Sequence, residues 1–183
     1  MRLITDLKLK KIIMTALLAA LACVATMSIR IPTPGTQGYI HPGDAIVILS
    51  GVILGPAYGL LAGGIGSALA DLLGGYFIYV PITFAVKGMI AFVCGLIYRH
   101  ASPDGRLHHS AVALGGIVDI LFVAGGYFLC EAVLYGPAGA AASVLPNLIQ
   151  GVSGLVISLL LYPVLMKIPN VRSVMMELKH AKH

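Results

Sequence analysis

Residues 39–76 read YIHPGDAIVILSGVILGPAYGLLAGGIGSALADLLGGY, and this stretch decides the fold. From Ala45 to Leu73 it forms one apolar block, broken only at Gly55-Pro56. A helix that crosses ~30 Å of hydrocarbon needs about 20 such residues. Proline inside a helical pattern ends or breaks the helix, so the block is read as two segments, 44–54 and 57–74. The first is short for a full crossing. It has to tilt, end in the interface, or be covered by neighbouring helices.

The rest of the chain has the same character. Of its 183 residues, 58% are hydrophobic and only 10% are charged; the mean hydropathy is +0.96. An ordinary soluble domain is about 25% charged. A chain this apolar cannot cover a globular surface with polar groups, which excludes a soluble enzyme and, equally, a disordered chain. Further apolar segments run over 12–31, 79–98, 110–135 and 138–166, the last two separated by Gly136-Pro137. The expected fold class is all-α: residues 1–183 as one integral membrane domain, a bundle of about six transmembrane helices. No room is left for an ATPase or catalytic domain. The basic start followed by an apolar run also describes a signal peptide, and ALAC at Ala20–Cys23 loosely resembles a lipoprotein box. The run continues past Cys23 and is long enough to span, so it is read as a retained helix. Cys23, Cys94 and Cys130 all sit in apolar runs and are read as buried thiols, not metal ligands.

With six spans the two termini and the 99–109 loop share a face. That face carries Arg2, Lys8, Lys10, Lys11, Arg99, Arg106, Lys167, Arg172, Lys179 and Lys182, against Arg30 alone on the other. By the positive-inside rule both termini are cytoplasmic. The net charge of +5 therefore reflects membrane topology, and nucleic acid is not expected as a partner.

Ionisable residues at membrane depth are costly unless paired or hydrated, and so mark function. Lys87, Glu131, Asn147 and Gln150 fall at similar depth in the outer half, with Asn147 and Gln150 on one helix face. Tyr79, Tyr127 and Tyr135 come from the same outer ends. Aromatic walls with a few hydrogen-bonding groups are the makeup of a small-ligand pocket. The expected ligand-binding residues are Tyr39, His41, Tyr79, Lys87, Tyr127, Glu131, Asn147 and Gln150. Asp44, after His-Pro-Gly, is read as a helix N-cap. Asp71 is read as a cap or a partner of Lys87, and Asp119 as a structural hydrogen-bonding group. Loop 32–42 (PTPGTQGYIHP), with three prolines and two glycines, is a candidate lid that brings Tyr39 and His41 over the pocket. On the first helix, Ala16 and Ala20 form a small-xxx-small face suited to close helix approach, internal or with a partner.

The basic start into TALLAALACVA, the 39–76 block, PITFAVKG at 81–88 and PNLIQ at 146–150 together resemble the S components of energy-coupling factor (ECF) vitamin transporters. The likeness covers most of the chain and is closest to the hydroxymethylpyrimidine and pyridoxine branch, with riboflavin and pantothenate S components as relatives. It implies a prokaryotic plasma-membrane subunit that captures a vitamin from outside and catalyses no reaction. It implies a membrane T component and two ABC-type ATPases as partners. ATP and Mg²⁺ would be bound by those ATPases, and no cofactor by this chain, which has no GxxxxGK[ST] loop. It maps Ala16 and Ala20 onto the T-component contact, and 32–42 onto the gate. The rival reading from another class is a stand-alone secondary transporter; no internal repeat supports it.

Overall fold

The computed structural model describes residues 2–101 and 108–180, with side chains over 8–101 and 108–176. Arg106 and Lys182 of the basic face lie outside the described residues, as do the side chains of Arg2 and Lys179. The elements are helices α1 (Arg2–Ser28), α2 (Asp44–Leu54), α3 (Pro56–Gly74), α4 (Tyr79–Ala101), α5 (His109–Leu165) and α6 (Pro169–His180). A small hairpin, β1 (Ile31–Pro32) and β2 (Tyr39–Ile40), lies between α1 and α2. Four helices are long and apolar enough to cross a membrane: the 8–28 part of α1, then α3, α4 and α5.

The short helix α2 is the centre. All of its residues are buried, and α1, α3, α4, α5 and α6 all pack against it. That covering answers how an apolar segment too short to span is accommodated: it faces protein on every side. Between apolar helices in lipid, close packing of small residues holds the bundle together. Gly51 of α2 shows this, since the backbone of Ala91 on α4 occupies the place a Cβ would take.

Helix α5 has 57 residues, which at 1.5 Å per residue is about 85 Å of helix. It does not run straight. Gly136 has φ 80° and ψ 162°, a conformation open essentially to glycine alone, and Pro137 follows. The arms 109–135 and 137–165 fold back on each other, so that Gly116 lies against Leu155 and Gly151 against Ile120. The break between α2 and α3 uses the same device, with Gly55 at φ 76° before Pro56.

Helix α1 shows a divided surface. Leu18, Ala22, Cys23 and Thr26 are buried, while Ile12, Ile13, Leu17, Leu21 and Val24 are exposed. Ala16 and Ala20 lie on the exposed side. The C-terminal stretch, read from sequence only as a basic tail, forms α6 instead. Its Val171, Val174 and Met175 are buried against α1 and α2. Cys23 and Cys94 are buried and Cys130 is half-buried; all three are free.

Candidate functional site

At the hairpin end of the bundle the helices part to leave a narrow cavity. Thr33, Gly38, Tyr39 and His41 of the hairpin segment line one side. Asp71 of α3, Tyr79 and Thr83 of α4, Tyr127 and Glu131 of the first arm of α5, and Asn147 and Gln150 of the second arm line the rest. The kink at Gly136 brings those two arms to one site.

The segment from Pro32 to Pro42 is folded. Ile31 pairs with Ile40 and Pro32 with Tyr39 in an antiparallel register. The Thr33 amide donates to the Gly38 carbonyl at 3.0 Å, closing the turn. The hairpin is tied to the helices at several points. The Tyr39 hydroxyl donates to Asp71 Oδ1 at 2.7 Å, and its ring packs on Tyr76 with centroids 4.5 Å apart. The guanidinium of Arg30 lies 5.3 Å from the Tyr39 ring centre. The His41 amide donates to Gln150 Oε1 at 3.0 Å. Gly38 sits beside Glu131, where a Cβ would come within 3.4 Å of Oε1.

His41 itself is buried. Its Nδ1 accepts the Gly43 amide at 3.1 Å, which fixes Nδ1 as an acceptor. Burial holds its pKa down at about 4, against the opposing pull of Asp44. His41 is therefore neutral at pH 7.

Beneath the cavity lies a fully buried polar cluster. Lys87 Nζ is 2.5 Å from Asp44 Oδ1, and neither side chain is exposed. Asp44 Oδ2 accepts from Gln150 Nε2 at 2.8 Å. Gln150 thus holds the hairpin with its carbonyl oxygen and the ion pair with its nitrogen. On the cavity side of the cluster, Tyr127 places its ring centre 5.5 Å from Lys87 Nζ. Its hydroxyl bonds Thr83 Oγ1 at 2.9 Å. Glu131 accepts from Tyr79 at 3.0 Å and also from the Ser143 hydroxyl. Asn147 faces the cavity and is almost fully buried.

Of the ligand residues expected from sequence, Tyr39, His41, Tyr79, Tyr127, Glu131, Asn147 and Gln150 surround this one cavity. Lys87 does not line it; its ammonium is held by Asp44. Three carboxylates differ from their sequence reading. Asp44 begins α2 but makes no cap: Gly43 is the N-cap residue, and no side chain bonds the helix end. Lys87 and Gln150 draw its carboxylate inward instead. Asp71 binds Tyr39, not Lys87, and lines the cavity. Asp119 is fully buried, yet its carboxylate oxygens have no hydrogen-bond partner among the described residues. Thr33, Thr83 and Ser143 were missed because single hydroxyls in apolar helices and loops carry no signal of their own. Among the described residues no group of three His, Cys, Asp or Glu is placed to hold a metal.

A family model described as the S component of an ECF-type riboflavin transporter matches residues 6–167. The chain belongs to this family. It is a multi-pass membrane protein of the prokaryotic plasma membrane, a transporter subunit for vitamin-like substrates and not an enzyme. An uncharacterised protein of Pyrococcus woesei is 42% identical over 134 residues, 73% of this chain and 86% of that protein. The thiamine precursor transporter HmpT of Lactococcus lactis subsp. cremoris is 26% identical over 167 residues, 90% of this chain and 93% of its own. A UPF0397 protein of Streptococcus pneumoniae is 36% identical over 92 residues, half of each chain.

The ion pair in this S component gives a stability prediction. Removing one partner of a buried pair typically costs about 3–5 kcal/mol, because the other is left charged and unpaired. Lys87→Met is expected to destabilise by about that much. Lys87→Met combined with Asp44→Leu is expected to recover most of the loss. Unfolding of the purified variants in detergent checks this; a double variant no better than the single contradicts it.

Proposed function

We propose that this chain is the substrate-capturing S subunit for a small, water-soluble vitamin with a single neutral or basic ring, of the hydroxymethylpyrimidine or pyridoxine type. The observation that carries this reading is the engagement of Lys87 by Asp44. A free lysine in the wall would suit a carboxylate ligand such as pantothenate. With its charge matched, the wall offers hydroxyls, amides and carboxylates to a ring bearing hydroxyl and nitrogen groups. The cavity between the docked hairpin and the helices is narrow, which favours one ring over the three-ring flavin with its ribityl chain. The similarity to a thiamine precursor transporter along nearly the whole length points the same way.

In this reading six membrane segments place both termini in the cytoplasm, with the arms of α5 counting separately. The hairpin is the outward lid. Docked, it closes the cavity through Tyr39–Asp71 and His41–Gln150; released, it admits ligand. ATP hydrolysis with Mg²⁺ takes place on two partner ATPases, reached through a membrane T component that packs on Ala16 and Ala20. Both alanines are exposed, next to the exposed Leu17 and Leu21.

Two experiments test these parts separately. Asn147→Leu or Gln150→Leu is expected to weaken binding of hydroxymethylpyrimidine or pyridoxine to the purified subunit at least tenfold, about 1.4 kcal/mol. Unchanged affinity in both variants would mean that the ligand sits elsewhere. Replacing Ala16 and Ala20 together by Leu is expected to leave that affinity intact and abolish ATP-dependent uptake after reconstitution with the T component and ATPases. Loss of both would make the alanine face a folding feature, and retention of both would make it idle. Uptake by proteoliposomes holding this chain alone would support a stand-alone transporter instead.

A further inference from the structure

We infer that Asp71 and Glu131 make the cavity selective by charge: it takes a ring that presents N–H donors or a positive charge, and it refuses the phosphate ester of that ring. This selectivity rests on the reading of the cavity as a vitamin site and narrows that site to one class of ligand.

The lining residues include the two carboxylates Asp71 and Glu131 and neither a lysine nor an arginine. The nearby cations stand outside this lining, and the Nε of Arg30 has no hydrogen-bond partner among the described residues. Lys87 is on Asp44. Arg30 stands over the rings of Tyr39 and Tyr76, at 5.3 and 6.0 Å from their centres. His41, the remaining basic group of the wall, accepts a backbone amide at Nδ1 and is neutral at pH 7.

Both carboxylates act as acceptors toward protein hydroxyls. Asp71 takes Tyr39, and Glu131 takes Tyr79 and Ser143. A carboxylate has about four lone-pair sites, so each keeps capacity for a donor from the cavity. Each is nearly fully buried, at 4% and 2% exposure, where unused acceptor capacity is costly. An amino group or ring N–H would fill it, and a protonated ring nitrogen would also offset the charge. A phosphate ester brings roughly −1.5 to −2 charges at pH 7. It would be closed in with two carboxylates and no lysine or arginine in the lining, the arrangement by which interfaces reject wrong partners. A phosphate-accepting site needs Arg, Lys or clustered backbone amides, and none of the side-chain kind lines this wall.

Binding is measured on the full purified chain at pH 7. The probes are hydroxymethylpyrimidine, pyridoxamine, riboflavin, the phosphate ester of each, and pantothenate. The expected result is that a free ring binds and its ester binds more than tenfold more weakly. Glu131→Gln and Asp71→Asn, near-isosteric changes, should weaken the free ring and narrow the gap to the ester. An ester within tenfold of its parent in the wild-type chain overturns the inference, whatever the variants do. So does a gap unchanged in both variants, and so does tight binding of pantothenate. If riboflavin binds and the smaller rings do not, the single-ring reading fails by itself. Riboflavin against its 5′-phosphate then decides charge selection by the same tenfold criterion.

Discussion

The ammonium of Lys87 and the carboxylate of Asp44 meet at 2.5 Å in the interior of the bundle, with no exposure of either. A single charge at that depth would be strongly unfavourable, and together the two are tolerable only with their remaining bonds made. That requirement fixes much around them. Asp44 must start α2 facing α4, and Gln150 must reach in from the second arm of α5 to occupy Oδ2. Because Gln150 also accepts the His41 amide, the hairpin segment that lines one side of the cavity is anchored to the same pair. The interior electrostatics and the position of the hairpin are thus one network.

The pair also bears on which charged groups line the cavity. It holds the Lys87 ammonium on Asp44, outside the cavity lining. It leaves a wall whose charged groups are Asp71 and Glu131, with His41 held neutral by burial. The glycine breaks serve the same end. Gly55 keeps α2 short and central, and Gly136 folds α5 so that Glu131 and Ser143 bond across the two arms. Charge, backbone and hairpin converge on one narrow, donor-hungry space.

Local features of this arrangement were legible in the sequence. Gly55-Pro56 and Gly136-Pro137 mark backbone breaks because proline and glycine constrain the chain where they stand. Asn147 and Gln150 share a face because helical spacing alone puts them there. What depends on helix packing was not legible. Asp44 and Lys87 are 43 residues apart, and nothing local says that α2 turns its first residue toward α4. An aspartate after His-Pro-Gly reads as a cap, and depth alone made Lys87 look available to ligand. The pairing of Asp71 with Tyr39 depends on the hairpin, whose two-residue strands are too short to give an alternating pattern. Helix α6 did carry a signal: Val171, Val174 and Met175 recur at helical spacing within the basic tail, and that spacing marks the face it buries.

The account stands on the claim that this S component holds a neutral or basic nitrogen ring in a cavity whose lining has no lysine or arginine. Mass spectrometry of small molecules retained through gentle purification of the full chain, expressed in cells supplied with mixed vitamins, tests it most directly. The account predicts retention of a single-ring, unphosphorylated heterocycle of the hydroxymethylpyrimidine or pyridoxine type, released on denaturation in stoichiometric amount. Stoichiometric retention of pantothenate or a phosphorylated vitamin would contradict it.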